Sequence, residues 1–120
     1  MAILDQINSE APIIKRTMDL YKEFYPMLKT FPKKDQYMLG GRCEANLLSF
    51  LELILLAISL DRQRKLAKLE EANSKFDVLK VLFRIAREFK MIDNRKYLSL
   101  EEKVQDIGKM LGGWMRSLRQ

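Results

Sequence analysis

Apolar residues recur along the chain at spacings of three and four, the period of an α-helix that buries one face. The first such stripe follows Ser9, which can cap a helix, and Pro12, which is tolerated in a first turn. Because Pro26 lies within the stripe and has no main-chain N–H group, it should kink this helix or end it early. The pattern predicts a first helix over residues 9–30. Its apolar positions are Ile14, Met18, Tyr21, Tyr25 and Leu28.

A second helix is predicted over residues 34–59, where apolar residues cover a broad arc. Leu48 and Leu55 widen this arc, which indicates a central position in the fold. Gly40 and Gly41 lower the local helix propensity, and they predict either a close approach of another backbone or a frayed first turn. The main apolar face consists of Leu39, Cys43, Leu47, Leu51, Ile54 and Ile58.

Two further helices are predicted, over residues 62–91 and 99–118. The stripe of the third consists of Leu66, Leu69, Asn73, Phe76, Leu79, Phe83, Ala86 and Lys90, with Leu82, Ile85 and Phe89 beside it. Asp93-Asn94 is a turn signal, and Ser99 with Glu102 has the spacing of a capping box that would start the fourth helix. The apolar positions of the fourth are Val104, Ile107, Leu111, Trp114 and Leu118.

Long helices joined by short connections pack side by side in opposite directions. The sequence therefore predicts a single all-α domain over residues 1–120, folded as an antiparallel up-down four-helix bundle. The low count of turn-forming residues, 5 glycines and 3 prolines, argues against many short strands and agrees with this fold.

The composition also restricts the chemistry that the chain can perform. Histidine is absent and Cys43 is the only cysteine, so one chain cannot build the usual zinc site or a Ser-His or Cys-His nucleophile pair. Glu44 and Glu52 lie eight residues apart near one face of the second helix. A carboxylate-bridged metal pair in a four-helix bundle also needs histidine ligands, so salt bridges to the third helix or subunit contacts are the expected role. We expect a protein that is not an enzyme and that uses no cofactor or metal.

The N-terminus and the apolar runs predict a cytoplasmic protein without a membrane segment. Residues 1–7 include Asp5 and lack the basic start of a signal peptide. The longest apolar run, residues 53–60, is too short to span a bilayer. A single cysteine leaves no intramolecular disulfide, which agrees with a reducing compartment.

The excess of positive charge lies in the second half of the chain. The net charge is +6, yet basic and acidic residues are equally frequent before residue 61. Lys80, Arg84 and Arg87 are spaced four and three apart, so they share one side of the third helix and can meet successive phosphates. A second basic cluster, at the start of that helix, consists of Arg62, Arg64, Lys65 and Lys68.

Two readings of these cations remain open. They form a phosphate-binding face, or they form a solvated face whose charge is partly neutralised by neighbouring carboxylates. No base-reading motif accompanies them, so any nucleic-acid binding should depend on the phosphate backbone and on salt. The interleaved carboxylates are Glu70, Glu71, Asp77 and Glu88.

Three glycines late in the fourth helix, Gly108, Gly112 and Gly113, each cost roughly 1 kcal/mol relative to alanine when exposed. A close helix–helix or subunit contact would offset this cost, and Trp114 would then lie in the core or anchor an interface. The glycines do not form a phosphate loop, because they follow no strand and lack the Gly-Lys-Ser/Thr ending. A surplus of apolar residues also indicates a homo-oligomer. These residues are Tyr21, Phe24, Tyr25, Tyr37 and Phe50.

Several segments form a recognisable series in chain order: Tyr25-Pro26, Phe31-Pro32-Lys33-Lys34, Leu39-Gly40, a Leu-rich helix ending at Ala57, Lys80 with Arg84, and Ile107-Gly108-Lys109-Met110-Leu111-Gly112-Gly113-Trp114. This series resembles the accessory variability determinant family of diversity-generating retroelements. The match extends over about residues 25–118, and the final glycine-rich segment is its most specific part. The chain is also similar, more distantly, to the four-helix proteins encoded in intervening sequences of bacterial 23S ribosomal RNA. Those proteins usually carry an Arg-rich segment ending in Asn-Ile-Ala-Glu-Gly, which residues 42–48 do not match.

The resemblance implies a bundle that assembles as a barrel-shaped homopentamer and binds nucleic acid, RNA or DNA, together with the element's reverse transcriptase. Such a protein supports complementary-DNA synthesis from template RNA in mutagenic retrohoming without catalysing it. The family's basic positions on the third helix correspond to Lys80 and Arg84, and Arg16 and Lys22 on the first helix are further candidates. The alternative, from the ribosomal branch, is a protein-interaction scaffold that does not bind nucleic acid directly.

Overall fold

A computed structural model describes residues 12–120, which form four long helices, one short helix and no strand. The predicted cap at Ser9 lies outside the described residues. The elements are α1 (Pro12–Phe24), a 3-10 turn (Tyr25–Thr30), α2 (Lys33–Tyr37), α3 (Leu39–Ile58), α4 (Arg62–Glu88) and α5 (Asn94–Arg119). Within the described range, no helix is both long and apolar enough to cross a membrane.

The four long helices pack as a closed bundle. α3 lies along α4, α4 lies along α5, and α1 completes the ring by contacting both α3 and α5. The connections between α3 and α4 and between α4 and α5 are only a few residues long, so successive helices run in opposite directions. The predicted all-α four-helix bundle is thereby confirmed.

Aromatic side chains join the helices across the core. The rings of Phe50 on α3 and Phe76 on α4 lie 4.5 Å apart between centroids, and those of Phe24 on α1 and Phe83 on α4 lie 5.1 Å apart. All four are buried. Phe24 and Phe50 were expected among the surplus apolar residues, and that expectation is wrong because both fill the interior of a single bundle.

Burial in the core also raises the pKa of the Cys43 thiol to about 12, so this thiol stays protonated.

Pro26 ends the first helix early, as its position predicts. α1 stops at Phe24, and the chain continues as a 3-10 turn with Pro26 in its first turn. Proline has no N–H group to donate and its ring crowds the preceding turn of an α-helix. Met27 and Phe31 are nevertheless buried, so this turn still covers the end of the core.

The second predicted helix is divided in two. α2 and α3 are separated at Met38, whose φ and ψ are −86° and −88°. Gly40 accounts for this arrangement, because a Cβ there would lie 2.7 Å from Leu28 Cδ2 and 3.1 Å from the carbonyl oxygen of Asp35. Gly41 is different, since a Cβ there would have only Gln36 O within 4 Å, at 3.8 Å. The predicted close backbone approach therefore occurs at Gly40.

The last helix starts one turn and a half earlier than its capping box predicts. Asp93 caps α5, and its Oδ1 accepts a hydrogen bond of 2.8 Å from the main-chain N–H of Lys96. The prediction that Ser99 and Glu102 form the cap is wrong. Ser99 lies inside α5, where its hydroxyl donates to Glu23 Oε1 on α1 at 3.0 Å. Asp is a favoured N-cap residue, and the hydroxyl of Ser99 is used between helices instead.

The end of α4 also differs from its predicted stripe. α4 stops at Glu88, and Lys90 adopts the left-handed conformation with φ 61° that commonly terminates a helix. Phe89 and Lys90 are therefore exposed, and Asn73 is only half-buried. The prediction of Asn73 and Lys90 as core positions, with Phe89 beside them, was wrong. The helical pattern was continued beyond Glu88, where α4 ends, and Asn73 lies at the edge of the core.

Candidate nucleic-acid interface

Lys80, Arg84 and Arg87 lie along the side of α4 that borders α5. The ammonium of Lys80 lies 5.5 Å from the ring centroid of Phe76, and the guanidinium of Arg87 lies 4.2 Å over the ring of Tyr97 on α5. Lys80 and Arg87 are half-buried, whereas Arg84 is exposed. Contacts of this kind hold a cation in place and leave its polar end in water.

Two of these three cations have carboxylate partners one turn away. Lys80 Nζ lies 3.3 Å from Asp77 Oδ1, and Arg84 Nε lies 3.4 Å from Glu88 Oε1. Both pairs are largely exposed, and such pairs contribute about 0–1 kcal/mol. A phosphate can therefore compete for either cation, although the carboxylates lower the local net charge.

An open groove of about 360 Å³ runs between α4 and α5 beside Lys80. Lys109 on α5 brings a second ammonium to it, and a Cβ placed on Gly108 would meet nothing within 4 Å. The sequence did not indicate Lys109 as part of this face, because it becomes a neighbour of Lys80 only through helix packing. The groove is lined by Asn73, Lys80, Glu101, Val104, Gln105, Gly108 and Lys109.

The predicted basic cluster at the start of α4 is divided among separate structural contacts. Arg62 donates from Nε to Leu118 O at 2.8 Å and from Nη2 to the carbonyl oxygens of Ser117 and Gln120. It therefore binds the end of α5. This contact gives the exposed Arg62 a structural role that the sequence pattern did not indicate, and its part in nucleic-acid binding stays a prediction.

Arg64 and Lys68 are held locally, and Lys65 is not. Asp61 caps α4 by accepting from the main-chain N–H of Arg64 at 3.1 Å, and it also pairs with the Arg64 guanidinium at 2.7 Å. Both contacts lower the pKa of Asp61, the main-chain hydrogen bond most strongly. Lys68 Nζ lies 3.5 Å from Glu71 Oε2. Lys65 has no ion pair within residues 12–120.

The two candidates on α1 lie away from the α4–α5 groove. Arg16 Nη1 contacts Asp106 Oδ2 of α5 at 3.2 Å, in a groove between α1 and α5 of about 430 Å³. Lys22 is exposed and forms no ion pair with any described residue. The α1–α5 groove has equal numbers of basic and acidic residues, so it offers no excess of positive charge. It is lined by Lys15, Arg16, Asp19, Glu102, Lys103 and Asp106.

Two carboxylates join helices in ways that the sequence did not reveal. Glu23 on α1 binds Lys103 Nζ at 2.7 Å, and this hydrogen bond raises the pKa of Lys103. Glu44 on α3 accepts from the Tyr21 hydroxyl at 2.5 Å, which raises the pKa of Tyr21 to about 12. The salt bridge that Glu44 was expected to form with the third predicted helix is not present among the described residues, and Glu44 binds Tyr21 of α1 instead. Across residues 12–120, no group of three potential metal-ligating side chains comes together.

The late glycines of α5 do not serve packing within the described chain. A Cβ on Gly112 or Gly113 would meet only the side chain of Arg116 on the same helix, at 3.6 and 3.8 Å. Trp114 is half-buried and packs against the edge of the core. The loss of helix stability that these glycines cause is therefore not offset by packing against another helix among residues 12–120.

Comparison with known proteins identifies the family to which the chain belongs. No curated protein matches the sequence. A model of the bAvd-like family matches residues 12–118, which is nearly the whole of the four-helix bundle. The matched range includes both the basic side of α4 and the glycine-rich segment of α5. The chain therefore belongs to the bAvd-like family of accessory variability determinant proteins.

Proposed function

We propose that this protein is a non-catalytic accessory subunit of a diversity-generating retroelement. In this role it binds template RNA or complementary DNA through the α4–α5 surface and binds the element's reverse transcriptase. Family membership supports the accessory role. The structural observation that carries the nucleic-acid part is the row of Lys80, Arg84 and Arg87 along α4, with Lys109 of α5 lining the same open groove as Lys80.

The spacing of these cations suits a phosphate backbone. Side chains three and four apart on a helix are about 5–6 Å apart at Cβ, so Lys80 and Arg84 can contact neighbouring phosphates. Arginine adds bidentate contacts to phosphate oxygens. No base-reading motif accompanies these cations, so we expect binding that depends on the phosphate backbone and weakens steeply as salt rises.

The proposed assembly is a homo-oligomer, with the pentamer implied by the family resemblance as the expected form. The support comes from Gly112, Gly113 and Trp114, which leave a small-residue surface with a half-buried aromatic beside it. A neighbouring subunit packed on this surface would offset the helix cost of the glycines. We propose that the C-terminal half of α5 forms that subunit contact.

Charge reversal at Lys80 and Arg84 tests the nucleic-acid surface. The variant Lys80→Glu/Arg84→Glu should fold normally by circular dichroism and lose RNA and DNA binding. The matched control Arg95→Glu/Lys96→Glu changes the net charge equally at exposed positions in the first turn of α5. Retained binding in the first variant would refute the site, and equal loss in both would show a mere net-charge effect.

A protein-interaction scaffold is the second candidate function. The supporting observation is an exposed apolar stripe formed by Val78 and Val81 on α4 and by Phe89 directly after it, beside cations that are partly neutralised. A scaffold would bind its partner after nuclease treatment and would show weak RNA affinity even at low salt. The accessory-subunit proposal predicts the opposite pair of results.

A further inference from the structure

A second exposed surface, separate from the α4–α5 groove, lies where α2 meets α3. It consists of Lys33, Lys34, Tyr37, Met38 and Arg42, and we call it the corner patch. All five side chains are exposed. Lys34, Met38 and Arg42 follow at intervals of four, and main-chain hydrogen bonds link Met38 N–H to Lys34 O at 3.3 Å and Arg42 N–H to Met38 O at 2.9 Å. These two hydrogen bonds span the break at Met38, and the exposed side chains of Lys34, Met38 and Arg42 follow one another across it.

The corner patch rests on a rigid support. Gly40 packs against Leu28 and against the backbone of Asp35, and Gln36 Nε2 donates to Phe31 O at 3.2 Å. Phe31 is buried and lies edge-on to Phe24, with ring centroids 6.2 Å apart. The patch is therefore held in place by the core and does not depend on an independent loop.

The cations of the corner patch form no ion pair with a described residue, unlike Arg64, Lys68, Lys80 and Arg84 on α4. Lys33, Lys34 and Arg42 form no ion pair with any residue in the described range 12–120. Asp35 is the one acidic residue within α2, and it is half-buried. A phosphate can bind these three cations without displacing a carboxylate.

The patch also presents an aromatic ring to solvent. Tyr37 is 78% exposed and Met38 is 67% exposed, and only Phe89, at 72%, is comparably exposed among the large apolar side chains described. Single-stranded nucleic acid binds to surfaces that combine stacking aromatics with unpaired cations, because unpaired bases offer their faces and the backbone offers phosphates. A base pair within a duplex hides its faces from such a ring.

We propose that the corner patch binds single-stranded RNA or DNA, with a base stacked on Tyr37 and adjacent phosphates on Lys33, Lys34 and Arg42. The α4–α5 surface contacts phosphates whether or not the strand is paired, whereas the corner patch selects unpaired segments. This inference rests on the proposed function only in that the ligand is nucleic acid. It assigns a different surface and a different form of the ligand.

Fluorescence anisotropy with a labelled thymidine oligonucleotide of about ten bases, a length within the usual site size, tests the stacking. Tyr37→Ala should lower the affinity for this strand about tenfold and leave the affinity for a blunt duplex of the same length unchanged. Tyr37→Phe retains the ring and should retain the affinity. Phe89→Ala removes an equally exposed aromatic elsewhere and should have no effect on either ligand.

A salt series tests the cations. Each cation neutralising a phosphate of a single strand contributes about 0.7 to the slope of log affinity against log salt, so Lys33→Gln/Lys34→Gln/Arg42→Gln should reduce that slope by about 2. The matched control is Lys75→Gln/Arg95→Gln/Lys96→Gln, which removes three exposed cations from other positions. The control should leave the single-strand slope close to that of the wild type.

The outcomes separate this inference from the proposed function. If the corner variants bind the single strand like the wild type while Lys80→Glu/Arg84→Glu does not bind, the corner patch is overturned and the proposed function stands. Equal loss of duplex affinity in the corner variants overturns the selection of unpaired strands. Loss of reverse-transcriptase binding with unchanged oligonucleotide affinity makes the patch a protein surface instead. A wild-type protein that binds neither ligand contradicts both proposals.

Discussion

Arg62, in the first turn of α4, donates from Nε to the main-chain carbonyl of Leu118 at 2.8 Å, across 56 residues of sequence. Its Nη2 donates to the carbonyls of Ser117 and Gln120. The last carbonyls of a helix have no partner within that helix and carry partial negative charge. The Arg62 guanidinium supplies both the donors and the positive charge, so it stabilises the last turn of α5.

Replacing Arg62 should therefore reduce stability more than nucleic-acid binding. We expect Arg62→Ala to lower the free energy of unfolding by about 1 kcal/mol, the usual net value for a hydrogen-bonded group at a protein surface. Urea denaturation measures this change, and Lys65→Ala, a neighbouring cation without an ion pair in the described chain, is the control. Unchanged stability, or a loss of RNA affinity as large as that of Lys80→Glu/Arg84→Glu, would contradict this role.

The adjacent glycines at the start of α3 should respond in opposite ways to alanine. Gly40→Ala forces a methyl group against Leu28 and the Asp35 carbonyl, and overpacking of this kind costs about 1–3 kcal/mol. Gly41→Ala has space and should be neutral or stabilising by up to about 1 kcal/mol. Thermal or urea unfolding of the two variants compares them directly. Equal effects would show that the close approach at Gly40 does not constrain the sequence.

Alanine substitutions at Gly112 and Gly113 should change the stability of the protomer and its self-association in opposite directions. Because neither position contacts another helix of the described chain, Gly112→Ala/Gly113→Ala should stabilise the protomer by up to about 1 kcal/mol at each site. If these glycines face a neighbouring subunit, the same change should weaken self-association, measured by sedimentation over a concentration series. A more stable protein with unaltered self-association would exclude the proposed subunit contact at this segment.

The hydrogen bond from Tyr21 to Glu44 should make the folding stability depend on pH in the alkaline range. It raises the pKa of Tyr21 from 10.0 to about 12, so it stabilises the fold fully below pH 10 and is lost as pH rises towards 12. Tyr21→Phe should therefore be less stable than the wild type at neutral pH, and this difference should shrink between pH 10 and 12. Tyr25→Phe, which keeps the ring stacked on Tyr21 at 5.8 Å, is the control. A stability difference that does not change over this pH interval would show that Tyr21 does not make the bond in solution.

Hydrophobic spacing was sufficient to predict the bundle, because an apolar stripe with helical period must be buried against other helices. It did not predict how the helices begin. Ser99 and Glu102 have the spacing of a cap, but Asp93 precedes them and Ser99 binds Glu23 on another helix. Local patterns cannot rank two competing caps when one of them has a partner 76 residues away.

The sequence predicted only those residues of the candidate site that lie together on one helix. Lys80, Arg84 and Arg87 share a side of α4 because their spacing requires it. Lys109 lines the groove beside Lys80 only through the packing of α5, and the contact of Arg62 with the end of α5 likewise depends on helix packing. The corner patch depends on the break at Met38, which the apolar pattern does not show.

Light scattering on the purified protein, with and without a structured RNA and across a salt series, tests the proposed nucleic-acid-binding function. We expect a stable homo-oligomer of about five copies that binds RNA, with an affinity that falls steeply as salt rises. A monomer, or an oligomer that does not bind RNA even at low salt, would contradict the accessory nucleic-acid-binding function and favour a protein scaffold.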